Sequence, residues 1–244
     1  MRDKTMLAAV FEDHGKLSVK EVPVPAIREP DEVLLRVDAA SICGTDVHIL
    51  EVPPGHPATP GAILGHEYTG TVLEMGSGVQ GLKTGDSVVV DPNLTCAKCR
   101  YCRSGMPNMC QSMTTLGIFT NGGFAKYNVA PASALHKIST DVPPDVAALA
   151  EPLSCVVNGT QKVRVQPGES VAVLGAGPIG LLFTQVFAAA GAGRIVVSEI
   201  TKVRARAAAK SGAHVVLDPR EPGFVQRVLD ETGGGADVVV DAVG

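Results

Sequence analysis

The sequence predicts a β-rich N-terminal half joined to an α/β half built on a doubly wound parallel sheet. Three observations carry that reading: short β-branched runs separated by turn residues over residues 6–90, a cysteine cluster of spacing CxxCxxCx7C from Cys96 to Cys110, and a strand–glycine turn–helix pattern opening at Ser170. With 244 residues, two domains are expected, divided here as 1–155 and 156–244.

Taken in order, strands are predicted at 7–11, 17–21, 33–40, 68–74 and 87–91, where apolar and β-branched residues recur. His14-Gly15, Pro23 with Pro25, Glu29-Pro30-Asp31 and Gly76-Ser77-Gly78 punctuate them, each able to turn the chain. Four prolines between Glu51 and Gly61 exclude a long helix and predict an extended loop at the mouth of a site, with His56 as exposed polarity rather than a ligand.

Cys43, Thr45, Asp46 and His48 place a thiol, a hydroxyl, a carboxylate and an imidazole within six residues. A catalytic zinc needs about three protein ligands and an open position. Cys43 and His66 supply sulfur and nitrogen, and either Glu67 or Glu151 completes a mixed set. Taken singly, Cys43 reads as a buried small hydrophobe and His66 as a core histidine; their occurrence beside a second cysteine cluster favours the metal. Asp46 serves either as the acid of a helix start or as an acceptor for the free ring nitrogen of His66.

Cys96, Cys99, Cys102 and Cys110 offer four thiolates, a closed tetrahedral sphere that suits structural zinc. An iron–sulfur cluster takes four cysteines too, at other usual spacings. A nucleic-acid zinc module would call for a basic surface, whereas the net charge here is -4. That charge also gives no attraction to anionic membranes. No run of about 18 apolar residues occurs, and the apolar run at 6–11 is too short for a signal segment. Clustered rather than scattered cysteines fit a reducing cytoplasm.

A strand-like stretch with a Gly122-Gly123 turn is predicted at 117–129, and a helix at 146–153 capped by Asp145; Cys155 reads as a core thiol. From Ser170 the pattern becomes α/β. A buried strand at 171–174 runs into Gly175-Ala176-Gly177-Pro178-Ile179-Gly180. Gly175 makes the tight turn, Gly177 lets the backbone approach a pyrophosphate and Gly180 packs helix on strand, while Pro178 and Ile179 open the helix whose start faces the phosphates. A second strand at 194–198 ends at Glu199, placed to accept from both ribose hydroxyls and to repel a 2′-phosphate, so NAD is expected over NADP. Lys202 and Arg204 soften that preference. Helices at 202–211 and 224–231 and strands at 214–217 and 237–241 complete four strands of the 3-2-1-4-5-6 order, so the second mononucleotide half is expected to be incomplete.

These motifs, Cys43-Gly44-Thr45-Asp46 with His48, Gly65-His66-Glu67-Tyr68-Thr69-Gly70, Gly85-Asp86, the four-cysteine lobe, Glu151-Pro152-Leu153 and the glycine turn, together resemble the zinc-dependent medium-chain alcohol dehydrogenases, closest to their threonine and polyol (sorbitol-type) branch. The resemblance implies an N-terminal GroES-like domain carrying both zinc ions, two per chain, and a Rossmann domain carrying NAD. It implies hydride transfer from a secondary alcohol, polyol or L-threonine-like substrate, with Thr45 taking the alcohol proton and His48 relaying it. Glu151 stands where the alcohol dehydrogenases of the older type use a second cysteine. Family chains continue past strand 4 for roughly a hundred residues, so a truncated or non-catalytic zinc- and NAD-binding relative is the alternative expectation. Homo-oligomerisation is a further expectation of the resemblance.

Overall fold

The computed structural model describes residues 4–13 and 15–243. The turn expected at His14, residues 1–3 of the N-terminal stretch and Gly244 lie outside them. The chain divides into two compact units between Glu151 and Pro152.

In chain order the first unit contains β1 (Thr5–Asp13), β2 (Lys16–Pro23), β3 (Glu32–Ser41), α1 (Gly44–Ile49), β4 (Glu67–Met75), β5 (Ser87–Val90), β6 (Asn93–Leu94), α2 (Arg100–Arg103), β7 (Thr114–Thr115), β8 (Tyr127–Pro131), β9 (Leu135–Lys137) and α3 (Pro144–Ala147). β1 and β2 form an antiparallel pair, with Met6, Ala8 and Val10 buried and Leu7 outward, the period of two that its alternating sequence encodes. An antiparallel five-stranded sheet runs in the order β8-β3-β4-β5-β9. Successive residues of β3 feed opposite faces: Val33 and Leu35 pack with Tyr68, Val72 and Val88, whereas Leu34 packs with Met6, Val10 and Ile63. β3 is therefore apolar on both faces, and it is the strand that delivers the chain to Cys43.

Two sequence expectations are corrected here. Of the strand expected at 117–129, only the end forms a regular strand, as part of β8, with Thr120 and Ala125 making single bridges to Leu116 and Ala8. Gly122, Gly123 and Phe124 instead donate their amides to the carbonyls of Ile63, Gly65 and Leu64, a side-by-side packing that β-branched patterning does not encode. The helix expected at 146–153 is two helices. α3 begins at Pro144, whose missing N–H and fixed φ suit a first helical position, so Asp145 sits in the first turn and caps nothing. α4 (Ala150–Val163) then restarts, with Pro152 in its first turn, where a missing N–H breaks no intrahelical bond.

The second unit alternates β10 (Ser170–Leu174), α5 (Pro178–Ala189), β11 (Arg194–Ser198), α6 (Lys202–Lys210), β12 (Val215–Leu217), α7 (Phe224–Glu231) and β13 (Val238–Asp241). Its strands are all parallel in the order β12-β11-β10-β13, which is the 3-2-1-4 order expected. Val171, Val173, Ile195 and Val197 are buried against Phe187 of α5 and Ala208 of α6, so β10 and β11 read as continuous apolar runs. Cys155, expected in the core, is exposed: α4 presents it outward, and its apolar neighbours Leu153 and Val157 are also exposed. Among the described residues no helix is long and apolar enough to cross a membrane.

Candidate metal centres and cofactor loop

The first site grows from one end of the β3–β4 ladder. Ser41, the last residue of β3, lies directly opposite Glu67, the first of β4, and Cys43 follows two residues later as the residue preceding α1. His66 precedes β4. Its placement depends on Gly65, whose φ of +92° is a left-handed conformation and where a Cβ would sit 2.4 Å from Phe124 Cδ1. Cys43, His66 and Glu67 thereby bring one ligand atom each to within 4.8 Å of one another. Glu151 stands outside that set. It senses the same charges all the same: burial raises its pKa, His66 lowers it, and Glu67 and Asp91 raise it, leaving it above the ordinary value.

His66 and Asp46 are buried, 6% and 4% exposed, and His66 Nδ1 and Asp46 Oδ1 face each other at 3.6 Å with no hydrogen-bond partner. At 3.6 Å the expected Asp46–His66 hydrogen bond is a charge contact, and Asp46 Oδ2 accepts from the Cys43 amide at 2.9 Å, the acid's helix-start role. Burial works against an imidazolium there, but the Asp46 carboxylate and the Cys43 sulfur outweigh it and push His66 up to about 10. A buried sulfur, imidazole and two carboxylates form an acidic pocket with orphaned polar atoms, a donor set that a divalent, borderline-soft cation such as zinc satisfies.

Thr45 is half-buried in the first turn of α1, and His48 follows three residues on, exposed and on the same helical face. His48 Nδ1 lies 3.0 Å from Glu51 Oε1.

The second site is a lobe without a core. Neither α2 nor the short helix Pro107–Met109 buries a side chain. Cys96, Cys99, Cys102 and Cys110 converge with their sulfurs all within 4.8 Å of one another. Amides point inward: Cys96 N–H donates to Cys110 Sγ and Cys99 N–H to Cys96 Sγ, both at 3.3 Å. Backbone amides pull Cys99 down to about 6, while burial and the neighbouring sulfurs push Cys102 up to about 12. Four sulfurs this close cannot all ionise without a cation among them, so the donor set fits structural zinc.

In the second unit Gly175 has φ +90°, and a Cβ on Gly180 would lie 2.1 Å from the Gly175 carbonyl oxygen, so helix and turn touch as only glycine allows. A Cβ on Gly177 would meet nothing, which leaves that backbone open to a ligand. Pro178 and Ile179 open α5 behind it. Glu199, 8% exposed, accepts from the Ala176 amide at 3.0 Å and from the Thr201 amide at 2.7 Å. Burial raises its pKa, but these amides and the nearby Arg204 more than offset that and hold the carboxyl below its usual range. This loop fits a dinucleotide phosphate and ribose.

Sequence reasoning missed Ser41, which donates its hydroxyl to Glu67 Oε2. Finding it required the β3–β4 register, since the two residues are far apart in the chain. It also missed Asn128, which receives the Tyr68 hydroxyl at 2.8 Å and donates to the carbonyls of Asn121 and Gly122, tying down the segment beside Gly65.

Comparison with known proteins follows these features closely. The family model for the alcohol dehydrogenase GroES-like domain matches residues 29–140, and that for zinc-binding dehydrogenases matches residues 178–244. The chain is 42% identical over 92% of its length to an L-threonine 3-dehydrogenase of Pyrococcus horikoshii and spans 64% of the length of that relative. It is 39% identical to a D-altritol 5-dehydrogenase of Agrobacterium fabrum, over 93% of this chain and 70% of the other. A solved structure from Sinorhizobium meliloti, described as a zinc-binding dehydrogenase and bound to NADP, superposes with a TM-score of 0.92 at 36% identity, over 99% of this chain and 71% of that one.

Proposed function

Because the chain belongs to the zinc-dependent medium-chain alcohol dehydrogenases, among relatives that act as threonine and polyol dehydrogenases, we propose that it oxidises a secondary alcohol, polyol or L-threonine-like substrate with NAD. The observation that carries this reading is the buried convergence of Cys43, His66 and Glu67 beside a helix bearing Thr45 and His48. Bound there, zinc supplies the Lewis acidity that brings an alcohol's pKa toward neutrality, and NAD is the hydride acceptor.

The chain's own residues do the rest. Asp46 spaces two of the proposed ligands, holding the Cys43 amide with one oxygen and facing His66 with the other. The Thr45 hydroxyl accepts the alcohol's proton as it passes its own toward His48, whose exposed ring releases it to solvent, while the C–H hydrogen leaves with its electron pair. Glu67 is the third ligand this geometry favours, with Glu151 the alternative. Cys96, Cys99, Cys102 and Cys110 hold the structural zinc. Gly175, Gly177, Pro178, Ile179 and Gly180 cradle the pyrophosphate, and Glu199, with Arg204 beside it, takes the adenosine ribose; a buried carboxylate there favours NAD over NADP. Cysteines gathered in metal-ligand clusters suit a reducing, cytoplasmic setting.

Metal content and NAD reduction with L-threonine, sorbitol and 2,3-butanediol test the proposal. Two zinc ions per chain are expected, with one ion and all turnover lost on Cys43→Ala. Unchanged zinc content in that variant would remove the reading, and two ions without turnover on any substrate would assign a zinc- and NAD-binding relative that does no chemistry.

A further inference from the structure

We infer that Ser41 is a positioning residue for the Cys43–His66–Glu67 centre: its hydroxyl occupies Glu67 Oε2 and so presents Glu67 to a metal through one oxygen only. The inference rests on the metal reading above and deepens it. Ser41 and Glu67 are direct cross-strand partners in the β3–β4 register, so their side chains leave the sheet on the same face. Ser41 Oγ donates to Glu67 Oε2. Glu67 is 5% exposed, so its carboxylate has little water to turn to. A Glu67 carboxylate oxygen lies within 4.8 Å of ligand atoms of Cys43 and His66, and with Oε2 held by Ser41 the other oxygen is the one left for a metal. A carboxylate free to rotate could instead chelate through both oxygens or swing away and yield its place to Glu151. Outer hydrogen-bond partners of this kind commonly change metal affinity by about 10–100-fold.

Cobalt(II) titration followed in the visible range is the test, on the unaltered chain, Ser41→Ala and Ser41→Thr. The spectrum of Cys43→Ala serves as the blank that removes the four-cysteine contribution. For Ser41→Ala the expected results are a Cys43-dependent band altered in shape or intensity and a half-saturating cobalt concentration about tenfold or more higher. Ser41→Thr, which restores the hydroxyl on a β-branched residue suited to a strand, is expected to return both toward the unaltered chain. The four-cysteine bands should match in all of them. A Ser41→Ala spectrum and affinity superimposable on the unaltered chain would overturn the inference, and so would loss of the four-cysteine bands together with the Cys43-dependent band, which would make Ser41 a residue of the fold. If the unaltered chain itself shows no Cys43-dependent band, the metal reading of this site falls first, and the inference with it.

Discussion

Glu199 shows how a single residue can join the glycine turn after β10 to the segment ahead of α6. Its two oxygens accept from Ala176 in the glycine turn and Thr201 ahead of α6, so a carboxylate is required at both ends. Glu199→Gln would set an amide NH2 against one of those N–H donors. Hydrogen bonds to a charged group contribute about 1.5–3 kcal/mol, and the variant is expected to lose an amount in that range near pH 7. The sign of the pH dependence follows from the depressed pKa of Glu199. Stability from a carboxyl whose folded pKa is lowered is fully present above its unfolded pKa, about 4.3, and is lost as pH falls through the folded value. Urea denaturation of both proteins should therefore show a gap at pH 7 that narrows below about pH 4. A gap of the same size at pH 3 and pH 7 would show that the carboxylate charge has no part in it.

At the scale of elements, the proposed metal ligands depend on a segment that has no regular structure of its own. Residues 121–124 lie against 63–65 through backbone bonds from Gly122 to Ile63 and Phe124 to Leu64, at 2.8 and 2.9 Å. Asn128 on β8 clamps them, and Tyr68 on β4, 1% exposed, completes its hydrogen bonding. Tyr68→Phe would leave a buried acceptor unmet, which costs about 1–3 kcal/mol. Hydrogen exchange should show the Gly122 and Phe124 amides opening faster, with the amides of β10 and β11 unchanged; equal protection in both proteins would argue against the clamp. The same elements mark what was legible in the sequence. β1, β3 and β4 were readable because one or both of their faces meet a core, so apolar residues repeat at the strand period, and α5 was readable from the glycines that precede it. The backbone packing of 121–124 was not, because glycines pairing with carbonyls leave no apolar period. The break between α3 and α4 was hidden by continuous helix formers, and Cys155 on α4 showed nothing in its type that told inside from outside. Cys43, His66 and Glu67 could be proposed from their chemistry, whereas Ser41 and the separation of Glu67 from Glu151 needed the register of two strands.

Across the whole molecule, stability comes from different sources in different places. The five-stranded sheet and the four-stranded parallel sheet each have an apolar core of their own, drawn from residues of one unit only. The lobe carrying Cys96 to Cys110 has neither core nor long element: its helices bury no side chain, and Met106 and Met109 are exposed. Its amides are instead aimed at sulfurs. A metal ion bound by four thiolates would then supply the folding free energy that burial does not, since such sites are not formed in the unfolded chain. Stripping zinc with a strong chelator is expected to unfold this lobe while leaving the parallel sheet intact. Hydrogen exchange would register it as lost protection at the Cys96, Cys99 and Cys110 amides against unchanged protection along β10 and β11, with the four thiols becoming titratable by a disulfide reagent. If those amides keep their protection once the thiols are titratable, the lobe is held by its own backbone and turn geometry. The left-handed residue Ala97, φ 54°, would then be the place to look, because it turns the chain between Cys96 and Cys99.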